Sequence, residues 1–163
     1  MDSKNSQHAQ AVYMANKVNT ASREQLLLFT YDIGIRSCIG AENALEGGVV
    51  DEANNNIQRA QNVIRELMIT LRVDEGGEVA QNLMRLYDFM YLMLVEANVA
   101  KDREKVSVVR GMLEELRSTW EEAIIKLAEE SGEKVAPQFL CGSAPAAKDD
   151  AKAVPAGGLN VAG

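Results

Sequence analysis

The chain has 163 residues, of which 47% are hydrophobic and 25% charged, and a formal net charge of −7 at pH 7. That is enough apolar material for one core in one domain, while the acidic balance and the lack of a basic stripe interleaved with aromatics speak against nucleic acid and anionic lipid as partners. The longest apolar run, Phe89 to Val95, is too short to cross a bilayer, and the polar start (Asp2, Lys4, Asn5, Gln7) holds no apolar leader, so a cytosolic protein without membrane insertion is expected.

Residues 1–21 carry isolated apolar side chains (Val12, Tyr13, Met14, Val18) in a polar setting and read as an N-terminal arm. His8, the single histidine, is expected there as a solvated residue outside any helix. The folded body begins at Ser22. Its hydroxyl can accept from an unpaired N–H of the first helical turn while Gln25 reaches back to the Ser22 N–H, the reciprocal capping box; Thr20 offers a second cap.

Four helical segments follow, about residues 23–46, 51–73, 78–101 and 103–131. Gly47-Gly48 closes the first, Asp51 is the expected cap of the second, Gly76-Gly77 precedes the third, Asp102 caps the fourth and Gly132 ends it, with no proline before Pro137. Each segment repeats steps of three and four, which keep side chains on one helix face. The expected inward rows are Leu27, Tyr31, Gly34, Cys38, Ala41, Leu45; then Ala53, Ile57, Ala60, Ile64, Leu67, Leu71; then Val79, Leu83, Leu86, Met90, Met93, Ala97, Ala100; and last Val106, Val109, Leu113, Leu116, Trp120, Ala123, Leu127. At about 1.5 Å per residue the segments reach roughly 35–45 Å, and the short links force neighbours to run antiparallel. The predicted fold is all-α, an antiparallel up-down four-helix bundle over residues 22–132, with small positions (Gly34, Ala41, Ala60, Ala97) allowing close approach. Residues 133–163, rich in Ala, Gly, Pro and Lys, read as a flexible tail.

Catalytic chemistry has no foothold in this pattern. A ferritin-like metal site needs Glu-x-x-His pairs and a helical phosphotransfer domain needs an exposed helix histidine, so neither is expected. The glycine pairs read as turns rather than phosphate loops, and Cys38 and Cys141 as reduced thiols. The pairs Glu114-Glu115, Glu121-Glu122 and Glu129-Glu130, interspersed with Arg110, Arg117 and Lys126, read as a solvated helix face with i to i+4 pairing. No catalytic residue, metal or cofactor is predicted. What exceeds a generic bundle is apolar surplus, with Leu26, Phe29, Ile33, Val63, Met68, Met84, Tyr87, Tyr91, Leu94, Ile124 and Ile125 lying beside the inward rows. Part of it widens the core face, and the rest can line grooves that take an apolar partner face.

Several words of the sequence resemble the flagellin-specific export chaperones of the flagellar secretion system, the FliS family. They are Val18-x-Thr20-Ala21-Ser22-x-x-x-Leu26-Leu27 with Tyr31-Asp32 and the upstream Tyr13, Ile57-Gln58-Arg59-Ala60-Gln61 with Ile64 and Glu66-Leu67, the stretch Gly76 to Met90, and Leu116-Arg117-x-x-Trp120-x-x-Ala123. Together they span about residues 8 to 125 in the family's order. Arg23 stands where many members have proline, and the tail after Gly132 is longer than the family's, so its role is not inherited.

The resemblance implies a cytosolic chaperone, not an enzyme and without ATP, that binds the C-terminal segment of unassembled flagellin, prevents premature polymerisation and delivers it to the flagellar type III export gate. The candidate flagellin-binding residues are Tyr13, Val18, Thr20, Leu26, Phe29, Ile33, Met68, Met84, Tyr87, Tyr91 and Leu94. Ordering some 30 client residues costs on the order of 30–60 kcal/mol. Offsetting the lower figure takes about 1,200 Å² of apolar burial, which argues for a client wrapped over several grooves. Val12, Tyr13 and Val18 of the arm are expected to occupy a groove in the empty protein. Val135, Phe139 and Leu140 of the tail offer an internal competitor. The alternative is a self-associating helical-bundle structural or adaptor protein, and a homodimer of the unloaded chaperone belongs to the same expectation.

Overall fold

The computed structural model describes residues 4–12 and 22–132, all of them in helices or the turns between them. A first helix, α1, covers residues 4–12, followed by α2 (Arg23–Glu46), α3 (Val50–Thr70), α4 (Val73–Ala100) and α5 (Arg103–Ser131). The protein is an all-α helical bundle. Two compact units divide it, one from Leu28 to Trp120 and one drawn from residues before and after that stretch.

The Leu28–Trp120 unit holds the core. Ala53, Ile57, Ala60, Ile64 and Leu67 of α3 are buried as the spacing predicts, with Val63 beside them; Leu71, past the helix end, is half-buried. From α2 come Leu28, Tyr31, Cys38, Ala41 and Ala44, from α4 Ala80, Tyr87, Met90, Leu94 and Ala97, and from α5 Val106, Val109 and Leu113. Gly34 marks a close approach, since a Cβ there would stand 3.0 Å from Val63 Cγ1 and 3.2 Å from Leu113 Cδ1. Cross-helix pairs fix the directions. Glu42 meets Arg110 while Asp32 meets Arg117, so α2 and α5 run antiparallel, and Asn54 with Asn98 and Arg65 with Tyr91 set α3 and α4 the same way.

The helix ends follow local chemistry. Ser22 Oγ accepts from the Gln25 N–H at 3.2 Å and Gln25 Oε1 accepts from the Ser22 N–H at 3.0 Å, which is the predicted capping box. Gly48, at φ 72°, turns the chain out of α2. Asp102 Oδ1 accepts from the Glu104 N–H at 3.0 Å and caps α5 as expected. Asp51 does not cap α3; the helix starts one residue earlier, Val49 is the cap position without a side-chain bond, and Asp51 lies in the first turn, where its charge suits the helix dipole. Helix α3 also stops at Thr70 rather than 73, where Leu71 turns extended.

The third predicted helix has a prelude. One turn forms from Val73, tied by the Arg72–Glu75 pair at 3.2 Å, and the chain then kinks at Gly77 (φ 59°, ψ −139°), a conformation open to glycine, before the long helix resumes.

In the other unit, α1 is an element the residue pattern did not predict. Its run of Lys, Gln and Ala without Gly or Pro favours a helix, and it places His8 on a helix, exposed, not in the irregular arm expected. The loop placement therefore no longer argues against phosphotransfer. Val12 is exposed, and Tyr13, Val18 and Thr20 lie outside the described residues, as do Cys141 and the tail from 133. In the last turns of α5, Ala123, Ile124, Ile125 and Ala128 are half-buried and Leu127 is exposed.

Candidate functional site

A polar cluster lies within the core. Tyr31 of α2 and Tyr87 of α4 bring their hydroxyls to 2.5 Å, and Trp120 of α5 donates its indole N–H to the Tyr31 oxygen at 3.1 Å. Trp is a donor only, so Tyr31 accepts from it, and one of the two phenols donates to the other. Burial, with the neighbouring phenol, pushes the Tyr31 hydroxyl far above its ordinary value and raises Tyr87 too, so both stay neutral and bonded. Tyr87 and Leu94, named as candidate client contacts, are 2% and 0% exposed: in this conformation they pack the core and offer no surface.

Two arginines of α5 tie it to α2. Arg117 Nε donates to Asp32 Oδ1 at 2.5 Å and Arg110 Nε to Glu42 Oε2 at 2.6 Å, with the Glu42 side chain only 7% exposed. These residues were expected on a solvated face. Arg110 does make the predicted i,i+4 pair with Glu114 at 3.1 Å, but both guanidinium groups reach across to α2. Their spacing of seven, each directly after an apolar residue (Val109, Leu116), was the signal that they flank the packed stripe.

The remaining candidates are half-buried. Leu26 lies in the first turns of α2, and Phe29 and Ile33 follow four apart on the same helix. Tyr91 lies at the seam between α3 and α4, and helical spacing puts Met68 and Met84 on the flanks that form it. Arg65 Nη2 donates to the Tyr91 hydroxyl at 2.9 Å and the guanidinium sits 5.8 Å above the ring, which places Tyr91 on the flank of α4 that faces α3. Met84 is seven residues before Tyr91 on that flank, and Met68 three after Arg65 on the facing side of α3.

A larger apolar surface was not predicted. Val79 and Leu86, expected inside, are exposed at 69% and 39%, and Phe89, Leu92, Val95 and Val99 join them at 50%, 55%, 37% and 82%. The signal lay in the run Phe89 to Val95, whose seven apolar residues fill two turns on every side, so that whichever face packs, the opposite one faces water. By contrast α3 turns Asn55, Gln58, Asn62, Arg65 and Glu66 outward. No group of three or more His, Cys, Asp or Glu able to hold a metal ion occurs among the described residues, and none of their helices is long and apolar enough to cross a membrane.

A family profile described as "Flagellar protein FliS" matches residues 5–127. The chain belongs to the FliS family. It is 33% identical over 118 residues to the "Flagellar secretion chaperone FliS" of Bacillus subtilis (strain 168), covering 72% of this chain and 87% of that one. Identity to the Salmonella typhimurium chaperone of that name is 31% over 112 residues, 68% and 83% of the two chains. To the "Flagellar secretion chaperone FliSB" of Pseudomonas aeruginosa it is 32% over 112 residues, 69% and 89%. A solved structure, "Crystal structure of flagellar chaperone from bacteria", shares the fold with a TM-score of 0.61 at 18% identity, over 74% of this chain and 98% of its own. FliS chaperones are not enzymes, and this chain belongs with them.

Proposed function

We propose that this FliS protein is a cytosolic flagellar secretion chaperone that holds the C-terminal segment of unpolymerised flagellin, keeps it from premature assembly and carries it to the export gate. The family match is the observation that supports this reading, and the apolar surface left over after the core is packed supplies a physical means. The α3/α4 seam is the first candidate contact, because unbranched Met68 and Met84 adapt to an incoming apolar face while Tyr91 and Arg65 offer a polar handle at its edge. Leu26, Phe29 and Ile33 supply further contacts along α2, and Tyr13, Val18 and Thr20 belong to the same proposal. In this reading the chain comprises an arm (1–21), an antiparallel up-down four-helix bundle (22–132) and a tail (133–163).

Co-purification with full-length flagellin and with flagellin lacking its C-terminal segment tests the reading. Only the full-length protein is expected to be retained, and equal retention of both would overturn it. Met84→Ala and Tyr91→Ala should weaken flagellin binding in calorimetry by about tenfold each, a loss of about 1.4 kcal/mol, with little change in melting temperature. Unchanged affinity would remove the seam from the site.

A further inference from the structure

The solvent side of the α3/α4 seam changes character at Arg65. Towards the turn between the two helices it is apolar: helical spacing puts half-buried Met68 and Met84 on the flanks that form it, Ile69 stands at the rim with 70% exposure, and half-buried Leu71 and Val73 lie beyond. Asp88, on the outer edge of the α4 flank, is exposed. In the other direction, Val95 apart, the lining is polar. Gln58 and Gln61 share the flank of α3, and Asn98 Nδ2 of α4 donates to Asn54 Oδ1 at 2.7 Å, bridging the two helices about 16 Å along α3 from Arg65.

Arg65 is held at this boundary without a carboxylate. Its guanidinium lies 5.8 Å above the Tyr91 ring and Nη2 donates to the Tyr91 hydroxyl at 2.9 Å, yet among the described residues it forms no ion pair, with Asp88 or any other acid. In a chain with 24 acidic and 17 basic residues, this arginine keeps its charge uncommitted. A guanidinium carries five N–H donors in a planar fork that fits a carboxylate bidentately, and Tyr91 engages one of them. The aromatic face beneath the cation orients the fork before any ligand arrives.

We propose that Arg65 anchors the α-carboxylate of the client's last residue, with the client's terminal apolar side chains lying from there over Met68 and Met84 towards the α3–α4 turn. The inference rests on the flagellin reading above, because a C-terminal segment brings one carboxylate whatever its sequence. That group ends the chain where the apolar lining ends. A side-chain carboxylate inside the segment would reach the same cation only with the chain running on towards the Asn54–Asn98 bridge, over a surface where Val95 alone is apolar. The anchor therefore also fixes the direction of the client, its end at Arg65 and its earlier residues nearer the turn.

Calorimetry of the full chain with the C-terminal segment of flagellin, synthesised as the free acid, as the C-terminal amide and with a Ser-Ser extension, is the test. The free acid should bind about tenfold more tightly than either of the others at about 0.1 M salt, and the advantage should shrink as salt is raised. Arg65→Gln should abolish the difference between acid and amide, and Arg65→Lys, which keeps the charge without the fork, should restore only part of it. The comparison of the three peptides on the wild type decides the matter even where a variant folds poorly. Equal binding of acid and amide, or an acid preference that survives Arg65→Gln, would overturn the anchor and leave the flagellin reading in place. Acid and amide weakened alike by Arg65→Gln would assign the cation to a side-chain carboxylate and overturn it too. A wild type that binds none of the three peptides and no full-length flagellin would bring down both.

Discussion

Removal of the Tyr31 hydroxyl is expected to weaken the protein more than removal of its partner's. Tyr31 sits between Trp120 and Tyr87, so its oxygen takes part in both bonds of the cluster, at 3.1 and 2.5 Å. At about 1 kcal/mol net for each buried bond, Tyr31→Phe should cost about 2 kcal/mol and Tyr87→Phe, which loses one, about 1 kcal/mol. The double variant loses the same two bonds as Tyr31→Phe alone and should therefore also cost about 2 kcal/mol, leaving a coupling of about 1 kcal/mol in the double-mutant cycle. Phe keeps the ring volume, so packing stays constant across the cycle. Urea unfolding followed by far-UV circular dichroism gives the three free energies, and Trp120, the only tryptophan, reports on the cluster by its fluorescence. Additive costs within about 0.5 kcal/mol, or a Tyr31→Phe variant as stable as wild type, would refute the reasoning that Tyr31 is the central member.

Alkaline pH tests the same groups. Burial holds the Tyr31 and Tyr87 phenols above their ordinary value of 10.0, and burial followed by the charge of Glu42 pushes the Cys38 thiol from 9.0 to about 12. Acids raised in the folded state keep their protons while the unfolded chain loses them. Their stabilisation is thus complete below the unfolded values and falls as pH climbs through about 9 to 12, by about 1.4 kcal/mol per pH unit for each proton retained. Tyr31→Phe/Tyr87→Phe should flatten that decline in unfolding titrations above pH 10, and an unchanged slope would contradict it. Arg117→Ala leaves the Asp32 carboxylate, 20% exposed, without its cation and should destabilise by about 1–3 kcal/mol in urea titration. Gly34→Leu drives a side chain into Val63 and Leu113 and should cost about 1–3 kcal/mol, visible as a lowered melting temperature.

The legibility of the sequence tracked how strongly each face was polarised. In α3 the alternation of apolar and amide or charged residues admits one buried side, and the predicted row from Ala53 to Leu67 is buried as drawn. In α4 the spacing predicts a row through Val79, Leu83 and Leu86, whereas the structure buries Ala80 and Tyr87. A helix apolar on most sides gives the period nothing to anchor it, and the kink at Gly77 detaches its first turn from the register of the rest. End signals carried by one side chain, at Ser22 and Asp102, were readable because the bonding partner is three residues away or fewer. Arg110 and Arg117 were not, since their partners lie 68 and 85 residues distant and local spacing offered a nearer carboxylate. Tyr87, placed beside the inward row and open to either core or groove, is core, and its hydroxyl is satisfied inside by another helix.

These differences separate two kinds of seam. Between α2 and α5 the register is fixed by Asp32–Arg117 and Glu42–Arg110, pairs with little exposure that lose much of their attraction on sliding by one turn. Along the outer side of α4 only hydrophobic contact is available at the centre, and such contact is non-directional. A partner there gains area without having to satisfy buried ionic geometry, so exchange of one partner for another carries no penalty of a stranded charge. The residues that define the bundle are locked on one side, and the residues left greasy sit on the other, where the Leu92 side chain is lost to solvent in the isolated chain at 55% exposure. Replacing Phe89 or Leu92 by serine should therefore leave the melting temperature nearly unchanged, since neither is needed by the core that Met90 and Leu94 complete.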